Sequence, residues 1–156
     1  MTVINPRVLS WFEKRQIDPE VVINFGVYSG RRLDTGEVIP DECGEIIVFP
    51  SFRDGKVVNE KYRGAHKKFW QKTGGTKTLV NADVLSDPAL QRGDVNLVIV
   101  EGEPDLLTAL QCGFHHTVSV PDGAPPETNQ TNEPSDLDQK FSYSSRTGNA
   151  LSSSSA

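Results

Sequence analysis

The chain has 156 residues, enough for one domain with a real core, or one domain and a tail, so no staple of disulfides or metal is required. Hydrophobic residues make up 36%, below the roughly 45–50% of globular chains (a count that includes Gly), which places part of the chain outside any packed core. Sixteen basic and twenty-one acidic residues leave a net charge of -5, and those totals argue against a nucleic-acid binder that works by bulk positive charge.

The elements begin with helices. Pro6 opens a stretch with Val8, Leu9 and Phe12 on one side, and Asp18-Pro19 reads as the N-cap and first position of a second short helix that ends at Gly26. Strand signals follow. Glu45 to Pro50 contains Ile46, Ile47, Val48 and Phe49; Asp54-Gly55 is a hairpin turn; Val57, Val58 and Tyr62 fall on the returning strand. Phe69-Trp70-Gln71 reads as a third strand, Gly74-Gly75 as a turn, and Thr78 to Asn81 as a fourth strand. The expectation is an antiparallel meander with one face packed and one face wet.

From Asn96 the pattern changes. Leu97 to Val100 is a continuous apolar run, as expected of a strand buried on both faces. Glu103-Pro104 starts a helix carrying Leu106, Leu107 and Leu110, Gly113 ends it, and Thr117 to Val120 is another apolar strand. Strand–helix–strand is a βαβ unit with parallel strands. The last 31 residues, Pro126 to Ala156, contain six hydrophobic residues and eleven Ser or Thr, too little apolar surface to offset the entropy of ordering, and read as disordered. The fold class is therefore α+β: a small helical lead-in and antiparallel sheet over 1–92, a partial α/β (βαβ) subdomain over 93–125, and a disordered Ser-rich tail over 126–156.

Charge is distributed unevenly. Arg53 to Lys77 holds eight basic residues against two acidic ones, +6 in 25 residues, while the remainder carries eight basic and nineteen acidic residues, or -11. Tyr62, Phe69 and Trp70 are interleaved with the cations. Basic groups attract phosphates and flat rings stack on unpaired bases, although aromatic residues in a sheet are commonly core. His66 within the run reads as a polar loop residue.

Functional groups in a parallel βα unit gather at the carboxyl ends of the strands, where Glu101-Gly102-Glu103-Pro104-Asp105 lies. Carboxylates there suit Mg²⁺, which prefers oxygen ligands. Glu101, the first residue past the strand, is the leading candidate; Asp105, one helical turn on, reaches the same space or complements the helix dipole; Glu103 reads as a plain N-terminal helix acid. Pro121-Asp122-Gly123 follows the second parallel strand and faces the same crevice. His115-His116 is a poor metal pair, because neighbours in a strand point to opposite faces. Cys43 and Cys112 have no CxxC spacing, which excludes a zinc ribbon and fits reduced thiols. No apolar run approaches a membrane span, and Met1 to Asn5 is too short and polar to open a signal peptide, so the expected location is cytoplasmic with no membrane partner.

Leu97-Val98-Ile99-Val100-Glu101-Gly102-Glu103-Pro104-Asp105, then Gly113-Phe114, then Val118-Ser119-Val120-Pro121-Asp122-Gly123-Ala124-Pro125 resembles the first part of a Toprim domain. Ile47 to Pro50, Asp54-Gly55, Tyr62-Arg63-Gly64, Lys67 to Gln71 and Leu79 to Asn81 are similar to the subdomain that precedes Toprim in bacterial primases and in phage and mitochondrial primase-helicases. The resemblance covers about residues 5–125. It implies RNA primer synthesis on a single-stranded DNA template from ribonucleotides by Mg²⁺- or Mn²⁺-dependent nucleotidyl transfer, with a helicase as a further partner. It implies Glu101 and Asp105 as catalytic residues, Glu101 and Asp122 toward the metal, and Lys61, Arg63, Lys67 and Lys68 toward nucleotide or template phosphates. The sequence departs from that pattern in lacking an N-terminal zinc module, a P-loop and the later DxD motif; Asp136-Leu137-Asp138 has the letters without a preceding apolar strand. The expectation is a truncated or frame-shifted primase-helicase fragment, with a non-catalytic single-strand-binding fragment as the alternative and a poorly folding remnant as a third reading.

Overall fold

A computed structural model describes residues 4–121. Asp122 and the expected tail, 126–156, lie outside the described residues.

Helix α1 runs Pro6–Glu13. Asn5 caps it by accepting the Arg7 N–H at 2.8 Å, and Pro6 occupies the first turn, where its missing N–H costs nothing. Helix α2, Pro19–Phe25, is capped by Asp18, which accepts the Glu20 N–H at 2.8 Å, and stops at Gly26 with φ 90°. At eight and seven residues neither helix is stable alone, so their stability comes from the apolar face they bury.

Five strands form an antiparallel sheet: β1 Tyr28–Arg32, β2 Val38–Pro40, β3 Ile46–Arg53, β4 Lys56–Arg63 and β5 Phe69–Gln71, in the order β2-β1-β3-β4-β5. Asp54 (φ 50°) and Gly55 (φ 71°) make the tight β3–β4 turn, whose two positive φ values match the twist of a hairpin. The expected meander is present from β3 to β5, and the β1–β2 hairpin on its other side is an addition to it.

Strand alternation separates the faces. Ile47 and Phe49 of β3 face α1 and α2, forming a core with Phe12, Val22, Val27 and Leu107 in which the Phe12 and Phe49 rings meet edge-on at 6.1 Å. The opposite face is not simply wet: Val48 and Tyr62 are buried there with Val38, against Tyr28 and Trp70.

The βαβ unit is β6 Val98–Val100, α4 Glu103–Gln111 and β7 Thr117–Ser119, with β6 and β7 parallel as expected. Two expectations are corrected. Thr78 to Asn81 does not form a fourth meander strand; Val80 alone bridges, antiparallel, to Ser119. Asn81 has φ 62° and turns the chain into the short 3-10 helix Ala82–Ser86, so the extended segment ends after a single pairing. The other correction is β6: Ile99 is 63% exposed, whereas β7 is buried throughout, so the β6 run is covered on one side only.

Candidate nucleic-acid and metal site

The site lies where the large sheet meets the βαβ unit. On β4, Lys61 and Arg63 share a face because strand side chains alternate with a period of two. The β4–β5 register sets Lys61 beside Gln71, and Arg63 beside Phe69. Tyr62 and Trp70, also partners, point to the other face, with ring centroids 5.5 Å apart. Of the three aromatics interleaved with the basic run, only Phe69 therefore shares a face with Lys61 and Arg63, and it is 48% exposed.

Arg63 is held by rings. Its guanidinium carbon is 4.7 Å from the Trp11 ring centroid and 4.7 Å from that of Phe69. Arg15 stacks on Trp11 at 3.6 Å. Each such contact contributes about 0.5–2 kcal/mol, and Arg15 Nη1 also donates to the Trp11 carbonyl at 2.9 Å. Burial, then the charge of Arg15, push Arg63 below its ordinary pKa, though an arginine remains protonated. Two cations thus share one aromatic mount, and among the described residues no carboxylate is in ion-pair contact with either. A cavity of about 450 Å³ lies alongside, lined by Trp11, Arg63, Gly64, His66 and Lys67 among others.

The loop after β4 carries the remaining expected cations. Lys67 and Lys68 are exposed, and His66 (φ 55°) and Lys67 (φ 59°) are consecutive non-glycine residues in the left-handed region. That conformation costs roughly 1–2 kcal/mol per residue. Gly64 has little room for a side chain, since a Cβ there would sit 3.0 Å from the Trp70 ring.

The acidic corner comes next to this face. Glu101 is exposed directly after β6, and Gly102 is the extended N-cap of α4. Asp105 is exposed and reaches back over the turn, its Oδ2 lying 3.5 Å from the point where a Cβ of Gly102 would be. Glu103 is an N-terminal helix acid, as the sequence implies, but a buried one: it is the first residue of α4, its side chain is 3% exposed, and its Oε1 is 2.9 Å from Lys61 Nζ. Lys61, expected toward phosphates, is thereby engaged inside the protein. Beside it, Gln71 Nε2 donates to the Pro121 carbonyl at 3.3 Å. The structure thus brings Lys61 and Arg63 to one face, places Lys67 and Lys68 on the adjoining loop, and sets the Glu101–Asp105 turn against Lys61. Asp122 lies outside the described residues.

Sequence reasoning missed Trp11 and Arg15. The signal is their spacing: Trp11 lies in the last turn of α1 and Arg15 four residues on, just past the helix end, whereas the apolar pattern of Val8, Leu9 and Phe12 reports only the buried side. His116, unremarkable as a ligand, has its Nε2 2.8 Å from Asp87 Oδ2. No group of three His, Cys, Asp or Glu that could hold a metal occurs among the described residues.

No family model matches the chain. It is 35% identical over 118 residues to a primase homolog protein of Arabidopsis thaliana, covering 74% of this chain and 33% of that protein. It is 32% identical over 118 residues to a chloroplastic/mitochondrial Twinkle homolog protein of the same plant, covering 74% of this chain and 16% of that protein. The chain thus spans a third or less of the curated relatives it matches. In structure it is similar to the Aquifex aeolicus primase, solved as zinc-binding and RNA polymerase domains, with a TM-score of 0.58 at 16% identity over 78% of this chain and 38% of that one. The helical lead-in, five-stranded antiparallel sheet and small parallel sheet make this an α+β protein of primase-type fold.

Proposed function

We propose that this chain takes part in RNA primer synthesis in DNA replication, as the primase-like Toprim type its motifs resemble, by nucleotidyl transfer on single-stranded DNA. The observation that carries the reading is the arginine mount. Arg63 and Arg15 are fixed on Trp11 and Phe69 with no acid between them, which leaves positive charge prepaid in a set position for a phosphate. Exposed Lys67 and Lys68 extend that charge along the loop, and the half-exposed Phe69 ring offers a surface on which an unpaired base stacks. The left-handed pair His66-Lys67 is local strain of the kind that collects at binding loops, which supports a role for this one.

Glu101 and Asp105 fit Mg²⁺ or Mn²⁺ in donor chemistry. Both are exposed carboxylates at the carboxyl end of a parallel strand, and Mg²⁺ is typically held by one or two carboxylates together with waters and substrate phosphates. When bound, such an ion neutralises charge that develops on a transferring phosphoryl group. Glu101 would hold it, Asp105 and Asp122 would support it, and Arg63 with the loop lysines would orient the phosphates. Ribonucleotides are the proposed substrates and a helicase a proposed partner. No helix of the described residues is long and apolar enough to cross a membrane. Both cysteines are exposed and unpaired, which fits the proposed cytoplasmic location.

A second reading, single-strand binding without synthesis, needs only the cation and aromatic face formed by Arg15, Arg63, Lys67, Lys68 and Phe69. The experiment is primer synthesis from labelled ribonucleotides on a single-stranded template with Mg²⁺ or Mn²⁺, alongside binding of the same template. Synthesis abolished by Glu101→Gln, with binding retained, is the expected result. Binding that Arg63→Ala weakens, with no synthesis at all, selects the second reading. Binding unaffected by Arg63→Ala and by Lys67→Glu/Lys68→Glu overturns both.

A further inference from the structure

We propose that Lys61 is a positioning residue rather than a phosphate contact: with Glu103 it fixes the turn that carries Glu101 against the face that carries Arg63. The inference rests on the reading of these two regions as one site and names how that site is held together.

Three observations carry it. Lys61 Nζ and Glu103 Oε1 are 2.9 Å apart with side chains only 15% and 3% exposed, so the pair is sealed, unlike the exposed Lys67 and Lys68. Glu103 is two residues from Glu101 and opens α4, whose next turn is anchored by the fully buried Leu106 and Leu107. Lys61 and Gln71 are partners across β4 and β5, and while Lys61 holds the start of α4, Gln71 holds the Pro121 carbonyl. Two adjacent side chains of the large sheet therefore grip the start of α4, which follows β6 and Glu101, and the Pro121 carbonyl, which follows β7. A buried ion pair is weak as a net source of stability, because desolvation offsets its attraction, but its geometry is demanding and fixes a register. A lysine spent on a phosphate would leave Glu103 buried and unpaired.

The test uses the full chain, with Mn²⁺ alone as the metal probe and labelled oligothymidylate as the strand. Lys61→Met is expected to weaken Mn²⁺ binding about tenfold and to speed amide exchange at residues 101–105. The slope of log affinity for the strand against log salt should stay unchanged. Arg63→Ala should lower that slope by about 0.7, the signature of one lost phosphate contact on a single strand. The charge swap Lys61→Glu/Glu103→Lys restores Mn²⁺ affinity and exchange. The apolar pair Lys61→Met/Glu103→Leu, which avoids a lone buried charge, keeps the measurement possible where the single variant fails to fold. A slope lowered by about 0.7 in Lys61→Met, or Mn²⁺ affinity and exchange both unmoved, overturns the proposal. If Glu101→Gln leaves Mn²⁺ binding unchanged, the metal reading of the corner fails instead, and exchange at 101–105 still decides the role of Lys61.

Discussion

Replacing Glu60 by Gln tests the polar side of the large sheet. The Glu60 carboxylate accepts the Tyr28 hydroxyl at 2.6 Å and the Tyr62 hydroxyl at 2.9 Å, and Lys72 Nζ lies 3.1 Å away. Hydrogen bonds to a charged group contribute about 1.5–3 kcal/mol, neutral ones about 0.5–1.5. Gln keeps one acceptor oxygen, so one tyrosine bond survives as a neutral bond and the other hydroxyl meets an NH₂ group. Lys72 is half exposed, and its share is below about 1 kcal/mol. The expected loss is about 2–3 kcal/mol at pH 7. Burial is the largest single influence on Glu60 and raises its pKa, but bonds from Tyr28, Lys72 and Tyr62 together outweigh it and hold the carboxyl below its ordinary value. A carboxyl lowered on folding gives stability that is present above its unfolded pKa, about 4.3, and lost as pH falls through the folded value. Urea unfolding of wild type and Glu60→Gln should therefore differ at pH 7 and converge on acidification below about pH 4. A difference under about 0.5 kcal/mol at pH 7, or one that does not shrink in acid, would mean that the bonds to Glu60 do not stabilise the fold.

Other outcomes follow from the same structure. Burial, then the Glu60 bond, push the Tyr28 and Tyr62 hydroxyls above their ordinary pKa, so their contribution is present below pH ~10 and lost as pH rises beyond it, readable as an alkaline unfolding limb that Tyr28→Phe weakens. Leu107→Ala removes a fully buried side chain from the core shared by α4, α1 and β3 and should cost about 2–5 kcal/mol in urea unfolding. Gly26→Ala forces a Cβ onto φ 90° at the end of α2 and should cost about 1 kcal/mol. Glu101→Gln, on an exposed side chain, should leave the unfolding free energy within about 0.5 kcal/mol of wild type, so that any loss of the proposed synthesis would not reflect unfolding.

Much of the fold could be read from local chemistry. Asp18-Pro19, Gly26 and Asp54-Gly55 act within a few residues, and each stands in the structure as the sequence implies. What was not legible depends on distant partners. Strand β1, Tyr-Ser-Gly-Arg-Arg, shows no apolar alternation, because Gly30 sits where a Cβ would lie 2.7 Å from Val38 and Ser29 is buried by bonding Asn5. Thr78 to Asn81 has strand composition, but its pairing partner is Ser119, and the turn at Asn81 ends it. Glu103 looks like any acid at a helix start, and only the β4 register reveals the lysine over it. The net charge likewise concealed the basic run, and within that run only alternation separates Arg63 and Phe69 from Tyr62 and Trp70.

On the proposed function, the Arg63 face is where single-stranded nucleic acid binds. Titrating the isotope-labelled chain with a short oligothymidylate at low salt, and following amide and indole resonances, tests it most directly. Salt-sensitive shifts are expected at Arg63–Phe69 and at the Trp11 indole, with Tyr28, Gly30 and Val38 on the opposite face unmoved. Shifts confined to that opposite face, or none at low salt, would contradict it.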